Sequence, residues 1–389
     1  MKEYGDRNNA EQLAMEVLNM RKKLLGAKHQ DTLRSMETLA NIYGGQGKSN
    51  KAEQLNVQVL DTTKKLFGAE HSHTLLAMRS LARAYHHQGK FSEAEQLEVQ
   101  VLDMMKKLLG AEHPDTLRSM GNLASTYHQQ GKLNKAERLE IQAMDMRKKL
   151  LGAEHPYTLL SIENLATTYQ MQGKLNEAEQ LEVQVLDKRK KLQGTEHPDT
   201  LISIANLAST YRIQGKLNEA EQLDIQVLDM RKKLLGVEHP HTLRTMGNLA
   251  YVYRMQGKFN KTEQLEVQVL DMMKELFGAK HLDTLLAMGN LACTYHYQGK
   301  LNVAEQLEIQ ALDMRKKLLG SEHRHTLLSM ENLANIYRFI SKSAFWFLLV
   351  SEPQKPIKTR KPGNLETQVP FPRNLIFKNP KKPTETLET

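Results

Sequence analysis

Residues 114–155 read PDTLRSMGNLASTYHQQGKLNKAERLEIQAMDMRKKLLGAEH, and this stretch decides the fold because the chain repeats it. His29, His71, His113, His155, His197, His239, His281 and His323 stand 42 residues apart, each with a Gly three residues before it, from Gly26 to Gly320. Tyr43, Tyr85, Tyr127, Tyr169, Tyr211, Tyr253, Tyr295 and Tyr337 keep the same step. A period held this long marks stacked repeats and does not arise from composition.

Within the quoted unit Leu117, Met120, Leu123, Ala124 and Tyr127 fall at the spacing of one amphipathic helix face, helix A. Gly131, in a QGK punctuation that recurs from Gly47 to Gly299, suits the left-handed position beyond a helix end. Asn134 and its equivalents Asn50, Ser92, Asn176, Asn218, Asn260 and Asn302 each precede a Glu by three residues. That pattern predicts a capping box opening a second helix, helix B. Helix B places Ala136, Leu139, Ala143, Met146 and Leu150 on one face and ends in cations and Gly152. No period-two strand pattern intervenes, and the short connectors force neighbouring helices antiparallel. One such hairpin cannot cover its own apolar face, so units must stack into an all-α solenoid over residues 1–340.

Composition agrees with that architecture. The chain is 40% apolar and only 6% aromatic, lean for 389 residues around one large core but suited to helices solvated on one side. The single Cys293 excludes an intrachain disulfide and any multi-cysteine metal centre, and points to the cytoplasm. The longest apolar run, Ala344 to Val350, is far short of the roughly 20 residues that span a bilayer. Of the net charge of +9, residues 341–389 supply +5, from nine Lys/Arg and four Asp/Glu. With seven prolines between Pro353 and Pro383, that basic tail is expected to be disordered.

The segment NLASTYHQQGKLNKAERLE, with Leu123, Ala124, Tyr127, Gly131 and Ala136 at their mutual spacings, resembles the tetratricopeptide repeat. The longer helix B and the LGAEHPDT linker resemble the kinesin-light-chain subclass of 42-residue repeats, found also in fungal and bacterial proteins and as sensor arrays of switch ATPases. The resemblance covers about residues 5–340 and implies a right-handed superhelix of antiparallel helix pairs with helix A on the concave side. The chain departs from those families at its ends. Gly5 aligns with the inter-helix Gly, so the first unit supplies helix B only, and Ser341 replaces the last Gly, with no helix B after it. No heptad segment precedes the array and no nucleotide-binding domain accompanies it, so motor attachment is unsupported and a switch ATPase would be represented by its sensor alone.

Catalytic and metal readings find little purchase. GGQGKS, Gly44 to Ser49, lacks the first Gly and the strand of a phosphate-binding loop. Successive repeat histidines lie one unit apart, about 10 Å along a stack, too far to share a metal. Linker hydrogen bonding is the better role for them, and neither a metal nor a cofactor is expected. The RKK clusters, such as Arg147 to Lys149, suit the helix dipole. An electrostatic surface for nucleic acid or anionic lipid, shared with the tail, stays open as an alternative.

Binding residues are sought off the packing stripe. Asn122, Asn164, Asn206, Asn248, Asn290 and Asn332 precede the Leu-Ala pair, and an amide offers both a donor and an acceptor to a peptide unit. The resemblance implies that Asn here touches ligand backbone, while a bond to an adjacent helix is the competing role. Arg83, Arg118, Arg212, Arg244 and Arg254 lie on the same helices, where eight off-stripe arginines stand against three glutamates. The expectation is a non-catalytic scaffold whose concave groove takes an extended, acidic peptide segment of a partner, with dimerisation through the bare solenoid ends as a further possibility.

Overall fold

The computed structural model describes residues 2–351, with side chains from 9 to 341. Among these residues there are sixteen helices and no strand. The odd-numbered ones are the B helices: α1 (Lys2–Leu25), α3 (Ser49–Phe67), α5 (Phe91–Leu109), α7 (Leu133–Leu151), α9 (Leu175–Gln193), α11 (Leu217–Leu235), α13 (Phe259–Phe277) and α15 (Leu301–Leu319). The even-numbered ones are the A helices: α2 (Gln30–Gly45), α4 (Ser72–His87), α6 (Pro114–Gln129), α8 (Pro156–Gln172), α10 (Pro198–Gln214), α12 (Pro240–Met255), α14 (Leu282–Tyr297) and α16 (Arg324–Ser351). From α1 to α15 each helix packs on the next in sequence, the arrangement of an all-α solenoid. The compact unit that holds the array ends at Leu333, inside α16.

Core and periodicity coincide. On α6 the buried face is Thr116, Leu117, Ser119, Met120, Leu123, Ala124, Thr126 and Tyr127. Against it α7 buries Ala136, Glu140 and Ala143, and the fully buried alanines there and at Ala94, Ala178, Ala220 and Ala304 let helix backbones approach closely. Each buried Leu or Met contributes about 1.5–3 kcal/mol, so every hairpin depends on its neighbours for cover.

The turns correct one expectation. Gly131 does adopt φ +70, and Lys132 N–H closes on Tyr127 O at 2.8 Å, a Schellman arrangement. Lys132 is then already the N-cap of α7, without a side-chain cap bond, so Asn134 lies inside the helix and caps nothing. The same holds at Asn50, Ser92, Asn176, Asn218, Asn260 and Asn302, because the two-helix turn is too tight for a separate capping residue. The side-chain caps belong instead to the A helices. His113 Nδ1 accepts from Asp115 N–H at 3.1 Å, and the other repeat histidines do the same for the residue two ahead, from His29 to His323. Thr116 Oγ1 meanwhile bonds Gly110 O at 2.8 Å and fixes the linker.

The ends differ from the repeat spacing. Gly5 lies within α1, and α16 runs through Ser341 to Ser351, since no Gly there offers the left-handed exit. The expected disorder of the tail beyond Ser351, and the side chains of AFWFLLV, lie outside the described residues.

Candidate functional site

The six helix-A asparagines occupy one position on each A helix from α6 to α16. Asn122 and Asn164 are exposed, while Asn206, Asn248, Asn290 and Asn332 are half-buried. Among the described residues the amides of the first five meet no hydrogen-bond partner. Thr126, Thr168 and Arg254 bond only the backbone carbonyls of Asn122, Asn164 and Asn290. Asn332 differs, since its amide lies close enough to the buried Glu308 carboxyl to favour the charged form.

The arginines divide into two groups. Arg83, Arg118 and Arg244 are exposed; Arg83 donates to Asn41 Oδ1 and Arg118 pairs with Asp115. Arg212 and Arg254 are half-buried and already neutralised: Arg212 Nη1 lies 2.7 Å from Asp224 Oδ2, and Arg254 Nη1 lies 3.4 Å from Glu266 Oε1. Counting helix-A charges alone overstates the free cations by these two, because their partners come from helix B.

Those partners belong to a row that sequence reasoning missed. Glu98, Glu140, Glu182, Asp224, Glu266 and Glu308 recur every 42 residues on the B helices, all buried. The signal was present, for each acid interrupts an apolar face, as Glu140 does between Ala136 and Ala143. Facing the first five are the residues that follow the repeat tyrosines, among them Arg212 and Arg254 of the expected groove. His86 Nε2 is 3.7 Å from Glu98 and His128 Nε2 is 3.4 Å from Glu140. Gln170 donates to Glu182 at 2.9 Å, and Arg212 and Arg254 continue the series. Thr126 and Thr168 donate to the second carboxylate oxygens of Glu98 and Glu140, and Thr210 to that of Glu182 at 2.6 Å. Burial pushes Glu140 and Glu182 up to about 7 and holds His86 and His128 below the usual imidazole range. The positions after Tyr are thus half-consumed by the interior.

Two further sets of charges tie units together. The Gln and Lys of each QGK reach back to one Glu near the start of the preceding B helix: Gln88 and Lys90 both donate to Glu53 Oε2 at 2.8 Å. Gln214 with Lys216 on Glu179, Gln256 with Lys258 on Glu221 and Gln298 with Lys300 on Glu263 repeat the pattern. The Glu of the supposed capping box therefore serves the next unit. The first cation of the RKK clusters turns inward as well. Arg189 is buried at 2.9 Å from Glu163, Arg231 donates to Thr245 Oγ1 at 2.6 Å, and Arg315 donates to Leu285 O at 2.7 Å. An anionic surface could meet only the lysines of these clusters.

Two cavities open along the A helices. One, of about 530 Å³ between α12, α13 and α14, has an apolar floor of Leu243, Val269, Met273, Phe277, Leu286 and Ala287, with Asn248, Asn290, Arg244, Arg254 and Tyr251 in its polar wall. Its origin is a substitution between units. In the following unit the guanidinium of Arg315 lies 3.2 Å from where a Cβ on Gly289 would sit. Here Met273 takes that Arg position, and a Cβ on Gly247 would meet nothing within 4 Å. The second cavity, of about 670 Å³, lies against α2, α4 and α6 and is lined by Arg79, Arg83, His86, His87, Glu37 and Asn122 among others. Among the described residues no three His, Cys, Asp or Glu converge as metal ligands, and no helix is long and apolar enough to cross a membrane.

Comparison with known proteins follows the same units. Profiles of the tetratricopeptide repeat match residues 5–65, 74–115, 116–157, 158–199, 199–275 and 284–325. A chain of Podosopora anserina, described as a kinesin light chain with nearly identical TPR-like repeats, is 36% identical over 53% of this chain and 98% of its own, with a TM-score of 0.49. BtubC (BKLC) from P. vanneervenii is 21% identical over 60% of this chain and 94% of its own, with a TM-score of 0.51. The apo form of RapI shares 12% identity over 74% of this chain and 98% of its own, with a TM-score of 0.54. No curated protein matches.

Proposed function

The chain belongs to the tetratricopeptide-repeat family, with repeats of the kinesin-light-chain-like type, and from that premise we propose that it is a non-catalytic scaffold whose A helices hold an extended peptide segment of a partner protein. The observation that carries the reading is the row of unpartnered amides at Asn122, Asn164, Asn206, Asn248 and Asn290. A side chain that can donate and accept, repeated once per unit and unused by the fold, matches the regular C=O and N–H groups of an extended chain.

The acidic preference rests on fewer residues than helix A alone suggests. Arg212 and Arg254 are neutralised by Asp224 and Glu266 and Arg118 pairs with Asp115, which leaves Arg83 and Arg244 as exposed cations of this set with no carboxylate partner among the described residues. The α12–α14 cavity adds an apolar seat beside Asn248 and Asn290, so one apolar side chain of the segment anchors there. Capture of labelled acidic peptides from a random library by the full chain tests the proposal. Asn248→Ala with Asn290→Ala is expected to weaken capture at least about tenfold at unchanged helicity. Equal capture by the folded double variant excludes the amide row as the binding element.

A further inference from the structure

We propose that the cavity against α2, α4 and α6 takes the phosphoryl group of a phosphoserine or phosphothreonine in the bound segment. This rests on the groove reading above and narrows it to one subsite. Arg79 is half-buried, lines the cavity, and among the described residues donates no hydrogen bond and closes no ion pair. Its guanidinium carries five N–H donors in a planar fork. Arg79 is also out of pattern, since the equivalent position holds Glu37, Glu163 and Glu331 in three other units and Gly or Ala in the rest. Where Glu163 is met by Arg189 from the B helix, the corresponding residue in the unit of Arg79 is Met105, so the fold supplies no partner.

The surroundings favour an external anion. Arg83 lines the same cavity, and burial and the charges of Arg118 and Arg83 disfavour the Arg79 cation, with Asp115 opposing them. The nearby acids offset this excess only in part. Asp115 is engaged by Arg118, and Glu98 is bonded to Thr126. Glu37 is pushed above the usual carboxylate range by burial, with Arg34 opposing the shift. Ser80, Ser125 and Asn122 add hydroxyl and amide donors to the lining. A carboxylate would bring one charge and two oxygens to these guanidiniums, whereas a phosphoryl group brings between about −1.5 and −2 and three acceptor oxygens. The second fits a site built from Arg79 and Arg83 together.

The test uses the full chain and three labelled heptapeptides rich in Glu and Ala, identical except for a central Ser, Glu or phosphoserine, read by fluorescence polarisation. The phosphoserine form is expected to bind at least about tenfold tighter than the Glu form. Arg79→Gln is expected to abolish that ratio while leaving the affinity for the uncharged Ser form within about twofold. Arg79→Lys, which keeps charge but not the fork, should restore part of it. Circular dichroism establishes that each variant is folded, and Arg83→Gln serves in place of any Arg79 variant that is not. Equal affinity for the Glu and phosphoserine forms overturns the phosphoryl subsite and leaves the groove intact. No binding of any form at about 1 mM overturns both. Binding to vesicles containing phosphatidylinositol bisphosphate that Arg79→Gln abolishes, without a phosphopeptide preference, gives the cavity to a lipid headgroup and overturns the proposal.

Discussion

Gln170 on α8 donates from Nε2 to Oε1 of Glu182 on α9 at 2.9 Å, so a neutral amide, and not a cation, is what meets this buried carboxyl. Burial pushes the group from its ordinary 4.5 to about 7, with the Thr210 bond only partly opposing it. Because the folded value is raised, the stability it contributes is complete below pH 4.5 and lost as pH rises through 7. At about 1.4 kcal/mol per pH unit, that loss approaches about 3 kcal/mol. Urea midpoints of the wild type should therefore fall between pH 5 and pH 8, and Glu182→Gln, which keeps an acceptor for Gln170, should remove part of the slope, leaving the share of Glu140, and be the more stable protein at pH 8. A slope unchanged by the substitution contradicts the assignment.

The next unit solves the same problem with charge. Arg212 and Asp224 are 2.7 Å apart, and Asp224 is only 1% exposed. Arg212→Ala strands that carboxylate and should cost about 3–5 kcal/mol. Transplanting the neighbouring solution, Arg212→Gln with Asp224→Glu, should return stability to within about 1 kcal/mol of wild type. Thermal melts of the three proteins separate a pair that matters for its geometry from one whose members act independently.

The histidine caps carry a local prediction. His113 accepts from Asp115 N–H and precedes Pro114, which needs no hydrogen-bond partner of its own. His113→Ala should cost about 1 kcal/mol, and His113→Asn, a common cap residue, should cost less. By contrast Lys90→Ala, which removes one partly exposed ion pair with Glu53, should change stability by about 1 kcal/mol or less. A larger loss at Lys90 than at His113 would reverse the assigned importance of the two turns.

How much of this was legible in the residues depended on whether a role is periodic within one helix or divided between two. Leu117, Met120, Leu123 and Tyr127 declare their burial through spacing alone, and the structure buries all four. Asn134 misled because a polar residue followed by Glu three positions on is the same string whether it caps its own helix or, as at Glu137, receives Gln172 and Lys174 from the next unit. Arg212 is expected in the groove, and Glu140 is passed over, for a related reason. Their partners lie 12 residues away on the other helix of a hairpin, as in His128 with Glu140, and only a hairpin register brings such residues together. Arg79 is hidden likewise, since only a comparison of units shows that the position from which Arg189 meets Glu163 holds Met105 in the unit of Arg79.

The α12–α14 cavity separates stability from binding. A Cβ on Gly247 would meet no heavy atom within 4 Å, and the residue sits in the middle of a helix at an ordinary helical φ. Gly247→Ala should therefore raise stability by about 1 kcal/mol through helix propensity. Met273→Arg reinstates the side chain that Arg315 provides one unit later, and its guanidinium should fill the space beside Gly247 and displace an apolar anchor. The expected result is a folded chain with reduced capture of peptides that carry a large apolar residue and unchanged capture of those that do not. If Met273→Arg leaves both classes bound equally, the cavity is a packing gap between units and takes no part in recognition.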